Sequence, residues 1–218
     1  MALILNLETS SKNCSVALFN RNDCISFKEI CSENYSHSEN LATFIKDVVD
    51  DYGVSFSDIS AISISKGPGS YTGLRIGMAS AKGLCYALSI PLIGLNSLEI
   101  MTCQVLSNNS GFDLFRPMIN SRKNEVYTAL YDINLNLVEP IASVSVHQDS
   151  FNTNHYKKVI CFGTGSEKVK NIIPNGNFLL DIMPSARSMG SMSFQKFSEN
   201  DFEDVAYCDP FYLKEAIV

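Results

Sequence analysis

Residues 66–83 read KGPGSYTGLRIGMASAKG, with glycine at 67, 69, 73, 77 and 83. A glycine-rich turn that runs into a helix is a common anion cradle, because the free N–H groups and the helix dipole favour negative charge. The usual nucleotide signatures fail, however. A P-loop needs G-x-x-x-x-G-K-[ST], whereas five residues separate Gly67 from Gly73 and Leu74-Arg75 follows; G-x-G-x-x-G is not matched either. Gly67-Pro68-Gly69 still makes a tight turn. The helix that follows, from about Gly73 to Leu88, is the more telling half. Leu74, Met78, Ala81, Cys85 and Leu88 form one stripe at three- and four-residue spacing, and Ile76, Ser80, Gly83 and Ala87 form a second. Only Arg75, Lys82 and Tyr86 supply a polar flank. A helix packed on one sheet needs one apolar stripe, so this one is expected to be buried on two sides. Gly77 and Gly83 each cost about 1 kcal/mol against Ala in a helix, and close packing by another helix would offset that. The alternative is that the chain's own second half covers the second side.

Working outward, Ile59–Ser65 alternates as a strand before the loop, Pro91–Leu95 is a strand after the helix, and Ser97 opens another helix. Upstream, Leu3–Leu7, Cys14–Phe19 and Ile25–Ile30 read as three antiparallel strands separated by polar turns. Ser36-His37-Ser38-Glu39 has the form of a capping box, Leu41, Phe44, Ile45, Val48, Val49 and Tyr52 give one apolar helix face, and Gly53 is its stop. Downstream, Phe115–Ile119, Val126–Tyr131 and Lys158–Phe162 read as strands, and Gly163-Thr164-Gly165-Ser166 opens a short helix; 188–202 fits no single pattern. The linker-like stretch SNNSG at 107–111 divides the chain into 1–106 and a smaller 107–218, whose last residues are expected to pack back on the first lobe. Three antiparallel strands followed by helix, strand, helix, strand give an α/β fold with a mixed sheet. That order matches the lobe repeated in the actin and sugar-kinase superfamily.

At 218 residues, 45% hydrophobic and 18% charged, the chain is expected to form real cores. A net charge of −6 and only small clusters of Lys and Arg argue against direct capture of a nucleic acid, which needs a basic stripe. Seven cysteines without a C-x-x-C pair point to free thiols in a reducing cytoplasm rather than to zinc or disulfides. The opening MALILNLETS reads as a strand, not a signal peptide, and no apolar run reaches membrane-spanning length. Three histidines, 37, 147 and 155, show no i, i+4 pairing, so no catalytic or metal-binding residue is assigned. His37 sits at the helix start and is most simply a surface residue in the first turn. Glu8 ends the first strand, where a carboxylate either holds a magnesium-bound water or caps the turn.

With these residues in view the chain resembles the bacterial TsaB family, also called YeaZ. The resemblance covers most of the chain. It rests on Leu3–Ser10 with Ser15–Leu18, on His37-Ser38-Glu39, on KGPGSYTGLRIGMASAKGL followed by Ile90–Gly94, on Arg122–Tyr127 and on Asp209–Lys214. Glu8 stands where many members carry Asp, and Asn120-Ser121 replace an Asp-Ala that precedes the Arg122 segment. The resemblance implies an actin-like (ASKHA) two-lobed fold, each lobe a mixed sheet with flanking helices. It further implies a non-catalytic, cytoplasmic scaffold for TsaD in making N6-threonylcarbamoyladenosine beside the tRNA anticodon, with the ATPase TsaE joining. No cofactor would be held tightly; ATP and Mg would be used by the complex. tRNA would be met only indirectly, no membrane would be involved, and the chain would pair with itself when alone.

TsaD, the catalytic relative, carries N-H-x-x-x-H for its metal, whereas the matching stretch here is Asn96-Ser97-Leu98-Glu99-Ile100-Met101. Hydroxyl and thioether are poor substitutes for imidazole. The expected partner-binding residues are Leu41, Ile45, Tyr71, Thr72, Leu74, Arg75, Gly77, Met78, Ala81, Lys82 and Cys85, and the candidate nucleotide-binding residues are Glu8, Thr9, Ser10, Gly67 and Gly69. Two rival functions are a stand-alone actin-like ATPase or phosphotransferase and a plain homodimeric structural protein.

Overall fold

The computed structural model describes residues 2–32, 37–147, 150–151, 158–173 and 176–213. The expected capping serine, Ser36, and His155 lie outside them, as does the side chain of His37.

The chain divides into two units, Met1–Ile100 with Pro184–Phe211 and Met101–Met183 with Tyr212–Val218. In the first, strands β1 (Leu3–Glu8), β2 (Asn13–Asn20), β3 (Asp23–Cys31), β4 (Ile59–Ser65) and β5 (Leu92–Leu95) form one sheet in the order β3-β2-β1-β4-β5. β1–β2 and β2–β3 are antiparallel; β1–β4 and β4–β5 are parallel. Every residue of β1 is buried, because helices cover both faces of the sheet. Helices α1 (His37–Tyr52) and α2 (Tyr71–Leu88) lie beside each other on one face. There Leu41, Ile45, Val48 and Val49 of α1 and Met78, Ala81 and Cys85 of α2 join Leu3, Leu5, Leu7, Val16, Ile62 and Ile64 in one core. Alternation sends Ile4, Asn6, Ala17 and Phe19 to the opposite face. Gly190 packs there against the Phe19 ring, while Ser15 Oγ accepts from Ala186 N and Asn13 donates to Pro184 O.

The stretch without a clear pattern thus resolves into a short 3-10 turn (Ala186–Ser188) and an α-helix, Gly190–Glu199, both in the first unit. The division differs from 1–106 and 107–218 for this reason. Residues from Pro184 onward complete the second face of the first sheet, which would otherwise leave Phe19 and Ile4 uncovered. α3 (Ser97–Leu106) begins in the first unit and ends in the second.

The second unit repeats the topology. β6 (Leu114–Asn120), β7 (Glu125–Asp132), β8 (Leu137–Ser145), β9 (Val159–Phe162) and β10 (Asn177–Leu179) run β8-β7-β6-β9-β10. Antiparallel pairs join β6 to β7 and β7 to β8; parallel pairs join β6 to β9 and β9 to β10. The five-residue α4 (Ser166–Lys170) follows β9 where α2 follows β4, and the ten-residue helix near the end of the chain is α5 (Gly190–Glu199).

Candidate functional site

The glycine loop folds down on its own chain. Ser70 N donates to Ser10 O at 2.7 Å, and a Cβ on Gly69 would stand 2.2 Å from that same oxygen. Gly67 has φ +113°, in the left-handed region that favours glycine, and lies against Phe211 O and Leu74. Phe211 N in turn donates to Lys66 O. Beneath the loop Glu8, Thr9 and Ser10 are 0%, 0% and 1% exposed. Thr9 Oγ1 donates to Gly73 O at 2.8 Å and Ser10 N donates to Glu8 Oε1 at 2.5 Å. Glu8 Oε2 and Ser10 Oγ have no hydrogen-bond partner among the described residues. Burial pushes the Glu8 carboxyl above its ordinary range, against the pull of the nearby Ser10 hydroxyl and amide. The five candidate nucleotide residues do come together, but as a closed joint. Its covering is the loop's own backbone, so the open phosphate cradle expected from Gly67 and Gly69 is corrected to a packing contact.

Helix α2 starts at Ser70, whose Oγ accepts from Gly73 N at 3.2 Å. Its inward face is Gly73, Leu74, Gly77, Met78, Ala81 and Cys85, all buried. A Cβ on Gly77 would meet Thr9 Oγ1 at 2.2 Å and Ile64 Cδ1 at 2.9 Å. The glycine notch therefore admits β1 and β4 of the same unit, not a visitor. Leu41, Ile45, Leu74, Gly77, Met78, Ala81 and Cys85 are corrected accordingly: seven expected partner contacts are core residues, because the more apolar stripe is the one the sheet takes.

On the outside Tyr71, Thr72, Arg75, Ala79, Gly83, Tyr86 and Ala87 are exposed, with Ile76 and Ser80 partly so. The Arg75 guanidinium sits 4.2 Å from the Tyr71 ring centroid. Lys82 Nζ donates to Ala206 O at 3.2 Å. Nothing lies within 4 Å of a Cβ built on Gly83, and Tyr86 is 86% exposed. The outward stripe is Ala79, Gly83 and Ala87 at four-residue spacing, backed by Ile76. Gly83 and Ala87 belong, with Ile76 and Ser80, to the second stripe legible in the sequence, whereas Ala79 belongs to neither stripe.

Ser97, at a TsaD metal-ligand position, is buried with its hydroxyl 2.8 Å from that of Ser65. Met101, at the other, is buried with its methyl against Gly163. Neither donor set fits a metal, and among the described residues no three His, Cys, Asp or Glu side chains gather as a metal site.

Comparison with known proteins agrees with this construction. The YeaZ structure from Pseudomonas aeruginosa superposes with a TM-score of 0.83 at 24% identity, over 98% of this chain and 100% of that one. The class is the actin-like, two-lobed α/β fold, each lobe a mixed sheet with flanking helices. A family model described as "TsaD: tRNA N6-adenosine threonylcarbamoyltransferase" matches residues 29–155, more than half of the chain. The tRNA threonylcarbamoyladenosine biosynthesis protein TsaB of Escherichia coli is 27% identical over 98% of this chain and 95% of its own length. That of Bacillus subtilis is 34% identical over 63% and 58%. The chain belongs to the family of that model, and the relatives it resembles within it carry the name TsaB or YeaZ. No helix among the described residues is long and apolar enough to cross a membrane.

Proposed function

We propose that this chain takes part in forming N6-threonylcarbamoyladenosine in tRNA as a cytoplasmic scaffold that contributes no catalytic side chain. Its docking face is the outward stripe of α2 together with neighbouring α1, which receives the corresponding helices of TsaD. In TsaD's absence a second copy takes the same place. TsaE joins the pair, ATP and Mg serve the complex, and tRNA is met through the partners. The observation that carries this reading is the small outward stripe, Ala79, Gly83 and Ala87. It is exposed although the helix's other side is already filled by its own core. Small residues at four-residue spacing let a second helix backbone approach closely. The names of the Escherichia coli and Bacillus subtilis relatives support the pathway. The rival stand-alone ATPase needs Glu8, Thr9 and Ser10 open to phosphate, and all three are buried.

The test substitutes Gly83→Leu. Because the space around Gly83 is open, the isolated chain should fold as before by circular dichroism. Its association with TsaD, followed by size-exclusion chromatography with light scattering, should weaken at least about tenfold, and tRNA modification by the reconstituted complex should fall with it. Normal association of Gly83→Leu would overturn the assignment. Turnover of ATP by the chain alone would favour the rival.

A further inference from the structure

The face of the second sheet that carries Arg116 holds a charge where an apolar core is expected. Register places Met118 opposite Thr128 and Thr128 opposite Ala142, with Val126 opposite Val144 and Leu130 opposite Glu139. Arg116 therefore shares a face with Met118, Leu130 and, across β9, Cys161, all of them buried. Arg116 itself is 4% exposed. A buried guanidinium is costly unless its N–H groups are used. Here Nη2 donates to Glu139 Oε1 at 2.7 Å, but Nε, on the same edge of the planar group, has no partner among the described residues. Beside it lies a pocket of about 340 Å³, lined by Arg116, Thr128, Glu139, Ala142, Val144 and Phe151. The Phe151 ring centroid is 5.5 Å from the guanidinium carbon. Ser150, which donates to Ser145 O at 2.7 Å, anchors that rim.

We infer that this pocket is a binding site for a small zwitterion, an α-amino acid with a short side chain. The two charges in the wall decide the class. A simple anion drawn to Arg116 would be repelled by Glu139, and a simple cation by Arg116. A molecule bearing both charges satisfies each, with its carboxylate facing the guanidinium and its ammonium donating to Glu139. Thr128 Oγ1 already donates its proton to Pro117 O at 2.8 Å, so toward the pocket it offers lone pairs, again suited to an ammonium. Ala142, Val144 and Phe151 leave an apolar remainder for a short aliphatic side chain. The volume falls at the small end of ligand sites, roughly 300–1,000 Å³. This inference lies within the second unit and stands apart from the reading of α2.

The test titrates the intact, 15N-labelled protein with L-valine at millimolar concentration. Two half-analogues of valine serve as controls: 3-methylbutanoate, which lacks the ammonium, and isobutylamine, which lacks the carboxylate. Saturable shifts confined to amides of β6, β7 and β8, with each half-analogue at least about tenfold weaker, are expected. Arg116→Lys should weaken binding by a similar factor. Ala142→Leu, which fills the pocket and keeps the charge pair, should do so even if the arginine variant does not fold. No saturable shift with L-valine overturns the inference. So does equal binding of a half-analogue, or unchanged binding by Ala142→Leu.

Discussion

Adding a methyl at Gly77 and at Gly83 should move stability in opposite directions, although the two glycines are less than two turns apart on one helix. At Gly77 the new carbon would stand 2.2 Å from Thr9 Oγ1 and 2.9 Å from Ile64 Cδ1. Ordinary contact between such atoms is about 3.5 Å, so α2 or the end of β1 must give by about 1 Å. Thr9 cannot yield freely, because its hydroxyl donates to Gly73 O in a buried hydrogen bond of 2.8 Å. Losing that bond costs about 1 kcal/mol, and overpacking a tight core adds about 1–3 kcal/mol. The better helix propensity of Ala returns about 1 kcal/mol. The net expectation for Gly77→Ala is a loss of about 1–3 kcal/mol. Gly83→Ala meets nothing within 4 Å and keeps the propensity gain, about 1 kcal/mol. The assay is urea unfolding of both variants and the parent chain, read by far-UV circular dichroism and by tyrosine fluorescence, the chain having no tryptophan. A Gly77→Ala protein as stable as the parent would refute the inward notch and reopen that face to a partner.

Three further outcomes follow from burial. Glu8→Gln should stabilise the protein at neutral pH: the folded carboxyl titrates above its ordinary 4.5, so native stability is fullest below that value and is lost as pH rises through the folded pKa. Urea midpoints from acid to neutral pH should therefore diverge in the variant's favour, and parallel curves would contradict the buried charge. Alkylation by iodoacetamide at mildly alkaline pH, followed by mass spectrometry, should mark exposed Cys24 and Cys31 early. Cys14, whose thiol burial and the Glu8 charge push to about 12, and Cys85, Cys161 and Cys208, which burial first of all pushes to about 11, should react only after unfolding. Lys66→Met leaves the partly buried Glu203 without its cation; amide exchange at Glu203 and Phe211, which donate to Leu92 O and Lys66 O, should accelerate, and unchanged exchange would show that the ion pair does not hold this segment.

Much of the first unit was legible because its elements are strongly patterned. β1, β2 and β4 are short apolar runs bounded by polar turns, and α1 has one clean face. The orientation of α2 was not legible. Two stripes of apolar and small residues compete for the sheet, and only the three-dimensional positions of Thr9 and Ile64 decide that Gly77 faces inward. β8 escaped notice because it is half exposed and carries Glu139 and Pro140, which break an apolar alternation and suit an edge strand. β10 is three residues long, too short for any period. α5 begins with Gly190 and is rich in serine, so its pattern is faint. The matching strand orders of the two sheets left no readable repeat, since they share directions and neighbours and not side chains. Arg116 gave no signal because a single arginine in a strand looks like surface until its burial is known.

The excursion of the chain from Met101 to Met183 has a consequence for how the molecule is born. Synthesis emits the first sheet early, yet the segment that shields its rear face emerges only after the whole intervening module. A nascent chain halted anywhere before Pro184 would display Phe19 and Ile4 to the chaperones. A shortened gene ending at residue 106 would encode a lobe without its back.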